Sequence, residues 1–231
     1  MEFVQKHRWS IKGLIRALVL SNTYQMSSHP GDSVAELKDP ENVLLHRMNL
    51  KRLEGEAIRD AILTVSGTLK REQGGPSTPI YLTPFMEGRG RPAAGPLDGA
   101  GRRSVYIAVL RNFLSPMMLA FDTPIPFNTM GRRNVSNVPS QALMLMNDPF
   151  VVESAKKWAQ SLRPGTSAEE RLREMYLSAF SREPHPEETR EALAFAREQA
   201  ELLKSPATDD PRIWADLAHV LFTAKEFIHL Q

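Results

Sequence analysis

Helix-opening signals crowd the second half of this chain and constrain its class more than any other feature. Asp148-Pro149 and Asp210-Pro211 each place a capping carboxylate before a proline at the first helical position. There the missing N–H costs nothing and the fixed φ suits the helix. Ser115-Pro116 repeats the device for a short helix through Phe121. Thr166 or Ser167 ahead of Glu169-Glu170 approximates a capping box, and Pro186-Glu187-Glu188 opens another helix. Apolar residues continue each segment at helical spacing: Val151, Ala155, Trp158 and Leu162; Leu172, Met175, Tyr176 and Ala179; Leu193, Ala196, Ala200 and Leu203; Trp214, Leu217, Leu221 and Ala224. The short connections between these segments predict antiparallel neighbours packed as a bundle.

The first third reads less regularly. Ser10 caps a predicted helix to Leu20, with Ile11, Leu14, Ile15, Leu18 and Val19 on one face. Asn22 to Asp39, broken by Pro30-Gly31, reads as a loop. Leu53, Ala57, Ile58, Ala61, Ile62, Val65 and Leu69 predict a second helix from Leu50 to Leu69, stopped by Gly74-Gly75-Pro76. Residues 74–101 then hold seven glycines and five prolines in twenty-eight positions, a long loop of the kind that compact domains keep for function. Ser104 to Leu110, rich in branched and aromatic residues, is the one convincing strand candidate. The expected class is mainly α: a helical bundle with a long Gly/Pro loop and at most one or two short strands. It reads as a single domain over 1–231, with an internal loop at 74–101 and a helical subregion at 148–231.

Charge narrows the function classes. The formal net charge is only +2, but residues 87–133 carry +4 and residues 164–231 carry −5. That asymmetry argues against a general nucleic-acid binder, which spreads positive charge over one face. No apolar run is long enough to span a membrane. The N-terminus shows no export signal as written. Without cysteine there is no thiolate ligand. The six histidines (7, 29, 46, 185, 219 and 229) include no i, i+4 pair, so no metal site is expected.

The positive middle contains arginine and no lysine: Gly101-Arg102-Arg103 and Gly131-Arg132-Arg133 echo one another, with Arg111 between. A guanidinium is a planar fork that grips carboxylate, phosphate or sulfate through paired hydrogen bonds. Arg102, Arg103, Arg111, Asn112, Arg132, Arg133, Asn134 and Gln141 are therefore the candidate ligand-binding residues, for an anionic glycan or small anion. Backbone N–H groups at the start of the Pro139 helix would add donors. The same arginines also suit internal clamps on Glu54, Asp60, Asp122 or C-terminal backbone carbonyls. Arg52, Glu56 and Asp60 fall at i, i+4, i+8 on the predicted second helix. Glu54, Glu56 and Asp60 are accordingly the candidate acid and base of a hydrolase acting on acidic polysaccharide, or members of an exposed ion-pair ladder.

Two blocks carry a family resemblance. One is Trp9-Ser-Ile-Lys12, Ser21-Asn-Thr-Tyr24, Asp39-Pro-Glu-Asn42, Arg47-Met-Asn49 and Arg52-Leu-Glu54-Gly-Glu56-Ala-Ile-Arg59-Asp60. The other is Arg102-Arg103-Ser-Val-Tyr106, Arg111-Asn112, Phe121-Asp122, Arg132-Arg133-Asn134, Pro139-Ser-Gln141 and Asn147. Together they resemble the C-terminal domain of large planctomycete-type cytochrome-c-like proteins, domain of unknown function family 1553. The resemblance carries no settled activity. It implies an exported, extracytoplasmic multidomain setting, in which haem belongs to an N-terminal domain and no cofactor to this chain. A haem-bearing domain is then a partner. Met1-Glu2-Phe3-Val4 matches the middle of a family helix, which points to a truncated start. Thr223-Ala-Lys-Glu226-Phe227 departs from the family's Asn-Ser-Asn-Glu-Phe-like run. The function expected is a non-catalytic binding module, with the hydrolase as its rival and nucleic-acid binding as the weakest reading.

Overall fold

A computed structural model describes residues 5, 8–29, 31, 33–205 and 210–230; the readings made at Met1–Val4, His7 and Pro30 lie outside them. The described residues form two compact units, one of residues up to Arg52 with the terminal strand, the other Leu53–Ile228. The chain is mainly helical, and its only described sheet is a pair of two-residue strands.

In the first unit, α1 spans Ile11–Val19 and α2 Ser33–Lys38. Strand β1, Lys51–Arg52, pairs antiparallel with β2, His229–Leu230. Ser10 caps α1 as expected, its hydroxyl accepting from the Gly13 N–H at 3.1 Å. No residue of α1 is buried. Helix α2 corrects the reading of residues 22–39 as loop. It is one and a half turns long, too short to show a period, and Arg47 holds it from eleven residues away. The Arg47 fork donates to Glu36 at 3.0 and 3.3 Å.

The second unit begins with α3, Gly55–Val65, shorter than the predicted Leu50–Leu69. Its start is lost to β1, whose partner lies at the far end of the chain. Its end comes early because the Thr68 and Leu69 N–H groups both turn back to the Leu63 carbonyl. Leu53, Ala61, Val65 and Leu69 of the expected stripe pack against the core, and the fully buried face extends beyond it. Ile58, Arg59, Ile62 and Leu63 face inward, while Ala57 faces out. The remaining helices are α4 (Pro116–Ala120), α5 (Pro139–Asn147), α6 (Pro149–Ser161), α7 (Ala168–Phe180), α8 (Pro186–Leu202) and α9 (Pro211–Thr223).

The starts of α4, α6, α7, α8 and α9 fall where the capping residues placed them. Ser115, Asp148, Ser167 and Asp210 each accept a first-turn N–H, and Glu170 closes the box on Ser167 at 3.0 Å. Helices α6 and α9 share the most extensive packing in the unit. Trp158 and Phe222 lie 5.1 Å apart between them, with Phe227 edge-on to Phe222. Each such aromatic, buried almost completely, contributes on the order of 2–3 kcal/mol of apolar transfer.

Residues 74–101 hold no helix or strand except a single 3₁₀ turn at Gly99–Gly101. The loop is nevertheless built into the unit. Thr78 pairs with both sides of Ile107, donating to the Tyr106 carbonyl at 2.7 Å and accepting from Ala108 at 2.9 Å. Gly95 donates to Ile80. The backbone comes so close at Gly95 and Gly101 that a side chain would collide with the Pro79 and Thr68 carbonyls. The predicted strand Ser104–Leu110 is absent. Asp60 takes both the N–H and the hydroxyl of Ser104 at 2.7 Å, which tightens Ser104–Tyr106 into a 3₁₀ turn. Ile107 beyond the turn is extended, but its bridge is to Thr78 of the loop rather than to a strand.

Candidate functional site

The exposed edge of α3 carries the candidate carboxylates. Arg52 does not join them on a helical ladder, because it lies in β1. Glu56 receives the fork of Arg133, Nη1 to Oε2 at 2.7 Å and Nη2 to Oε1 at 3.0 Å, and Glu54 stands 3.1 Å from the same Nη1. Burial works to raise the Glu56 pKa, but the Arg133 fork outweighs it, and the net shift is downward. Asp60 accepts twice from Ser104 and has Arg103 at 3.5 Å and Arg59 at 3.7 Å. All three carboxylates are therefore engaged by cations or donors of the chain itself.

Arg59 is the residue that sequence reasoning passed over. Its guanidinium is buried and donates to the carbonyls of Asp98 (2.6 Å) and Arg102 (3.0 Å) and to the Ser104 hydroxyl (3.1 Å). It fixes the end of the Gly/Pro loop on α3. Nothing in its own sequence context separates it from a surface arginine of the i, i+4 series. Arg102 is also committed to the loop. It donates to Pro76 at 2.7 Å and to Gly74, and lies 4.0 Å over the Tyr106 ring, whose hydroxyl accepts from Gly74. Gln141 is buried and donates to the Ala120 carbonyl and to both oxygens of Ser136, at 3.0 to 3.2 Å. Ser136 in turn donates to Asp122 through N–H and hydroxyl.

The remaining candidates lie elsewhere. Arg111 and Asn112 form the exposed tip of a turn closed by Phe113 N–H to the Leu110 carbonyl. The Arg111 guanidinium lies 5.9 Å over the Phe127 ring. Phe127 belongs to an open groove of about 760 Å³ whose polar lining is Asp122, Thr123, Asn128, Thr129 and Asn134. Arg132 and Arg133 fall in the segment between its last two lining residues, Met130 and Asn134. Among the described residues neither Arg111 nor Arg132 meets a carboxylate, in contrast to Arg103 and Arg133. No period or motif in the sequence points to Phe127, Asn128 or Thr129; only the rigidity of Pro124-Ile-Pro126 beside them hints at a shaped segment.

Size separates the concavities. Two small clefts, one beside Arg59 and Asp148 and one beside Glu56 and Ser104, measure only about 70 and 60 Å³. Binding pockets run to about 300 Å³ or more. A furrow on α7 is larger, but its Arg163 and Glu174 face each other at 3.5 Å. Burial also raises the pKa of Asp148, which stays engaged as the cap of α6. Among the described residues no group of histidines and carboxylates is arranged to hold a metal ion, and no helix is long and apolar enough to cross a membrane.

The family model described as "Protein of unknown function (DUF1553)" matches residues 1–196. No curated protein and no solved structure matches.

Proposed function

The chain belongs to the DUF1553 family of proteins of unknown function, and from that premise we propose that it is a non-catalytic binding module for an anionic ligand. The ligand sits in the groove of Phe127, Asn128, Thr129 and Asn134. The observation that carries this reading is the contrast among the arginines. Arg102, Arg103 and Arg133 are engaged with the protein's own oxygens, whereas Arg111, over the groove's Phe127 ring, and exposed Arg132, in the chain between the lining residues Met130 and Asn134, meet no carboxylate among the described residues. A guanidinium held over an aromatic ring keeps its outer N–H groups for a carboxylate, sulfate or phosphate.

The rival hydrolase gains no support from the same geometry. A general acid needs a raised pKa, and Glu56 is shifted the other way by its bond to Arg133. The extracytoplasmic, cytochrome-c-associated setting implied by the sequence resemblance remains part of the proposal and contributes no residue to this groove.

Thermal unfolding in sulfate, phosphate and glucuronate tests it. At a hundredfold excess over Kd, a ligand of the native state stabilises by about 2.7 kcal/mol. For a unit of this size that raises Tm by about 5–10 °C. Arg111→Ala and Arg132→Ala, both at exposed positions, keep the parent Tm without ligand and lose the rise. Absence of a rise in the parent, or an equal rise in both variants, overturns the proposal.

A further inference from the structure

The turn whose Arg111 lies over the groove's Phe127 belongs to a small second core that carries a further exposed element. Ile80, Leu82 and Phe113 are buried there, with Met86, Ile107 and Leu110 packed on them. The turn bearing Arg111 hangs from this core through Leu110 and Phe113. The tip of the Gly/Pro loop hangs from it too. Met86 packs into it, and Gly88 backs onto Phe113, where an added Cβ would stand 3.7 Å from the ring Cζ. The tip is closed by the Met86 N–H to the Thr83 carbonyl at 3.1 Å. It leaves Phe85 93% exposed, the highest value among the large apolar side chains described. Arg89 and Arg91 come next in the chain, both exposed, and Arg91 stands 3.8 Å from Glu87.

The Phe85 ring adds no apolar burial to the fold, and exposed Arg89 and Arg91 follow it on the same loop tip. At the groove a ring and a guanidinium do meet, those of Phe127 and Arg111. We propose that Phe85, Arg89 and Arg91 form a second station for the ligand of the groove, and that this ligand is an acidic polysaccharide chain reaching across both. This rests on the groove being an anion site.

Four features select the chemistry. Aromatic rings stack on the apolar faces of sugar rings. Arginine forks match carboxylate or sulfate substituents. The amides of Asn128 and Asn134 suit hydroxyl groups, and they stand with the Asp122 carboxylate that Ser136 engages. That last group, with Glu87 at the tip, opposes a nucleic-acid strand, whose every residue brings a phosphate and which calls for a groove of positive charge.

The test is isothermal titration of the full chain at one salt concentration, with galacturonate, oligogalacturonates of increasing length, neutral dextran and a poly-dT strand. Two linked stations make affinity rise with oligomer length by about tenfold or more over the monomer. Phe85→Ala removes that gain and leaves galacturonate binding unchanged. Its circular dichroism stays that of the parent, since the ring has no packing to lose. If galacturonate binds but length brings no gain, or the gain survives Phe85→Ala, the second station is wrong while the groove stands. If no anion binds at any length, both fall. Tighter binding of poly-dT than of the longest oligogalacturonate, or equal binding of dextran, overturns the polysaccharide assignment.

Discussion

Gly99→Ala probes whether the Gly/Pro loop is fastened by a buried arginine. Gly99 has φ +60°, a conformation that costs an L-residue about 1 kcal/mol. An added methyl would also stand 2.5 Å from both Ile107 Cδ1 and Arg59 Nη2. The Ile107 methyl is the end of a flexible chain and can yield. The Arg59 head cannot yield cheaply, because it is buried and holds the Asp98 and Arg102 carbonyls and the Ser104 hydroxyl. Displacing it weakens at least one charged hydrogen bond, each worth about 1.5–3 kcal/mol. The expected cost is about 2.5–4 kcal/mol, a fall in Tm of about 5–16 °C. Gly90→Ala is the control: φ is +77° but nothing lies within 4 Å of the added Cβ, so strain alone remains, about 1 kcal/mol. Urea unfolding of both variants measures the difference. Arg59→Ala combined with Gly99→Ala should cost clearly less than the sum of the two, because both act through one group. Equal costs for Gly99→Ala and Gly90→Ala, or strict additivity with Arg59→Ala, would refute the reasoning.

Glu188 gives a pH signature. Hydrogen bonds from Arg182, at 2.8 Å each, hold its pKa down to about 2 from the ordinary 4.5. A depressed carboxyl stabilises the fold fully above its unfolded value and loses that contribution as pH falls through the folded one. The parent should therefore lose stability between pH 4.5 and about 2 more steeply than Glu188→Gln, and the two curves converge at the acid end; parallel curves in denaturant titrations across that range would exclude the assignment. Ser167→Ala removes the hydroxyl that accepts the Glu170 N–H, and should cost about 1 kcal/mol in urea unfolding with an unchanged m-value. No measurable loss would mean that the α7 start is held by packing alone.

The helix starts were legible in the sequence because capping is a local event. Asp148, Ser167 and Asp210 satisfy N–H groups two or three residues away, so their effect is written within one turn of chain. The apolar stripes of α6, α7 and α9 were legible for the same reason: a helix repeats every 3.6 residues whatever it packs against. Resemblance over residues 9–147 was equally a matter of residues in order. The candidate ligand residues were found by type, as arginines without lysine, but type did not sort them.

Sorting them took the folded chain, because an arginine's role depends on which oxygens come near it. Arg133 reaches Glu56 across seventy-seven positions and Arg59 reaches Ser104 across forty-five. Distance in the chain likewise hid the strand Lys51–Arg52, whose partner is His229–Leu230, and turned Ser104 from a strand residue into the donor that satisfies Asp60. Residue order alone was enough to say where α4 and α6 to α9 begin, which faces of α6, α7 and α9 are apolar and that the fold is mainly α. That Arg59, Arg102 and Arg133 are fasteners while Arg111 and Arg132 look outward was settled in three dimensions, because pairing a charge is an interaction between remote segments and leaves no local mark.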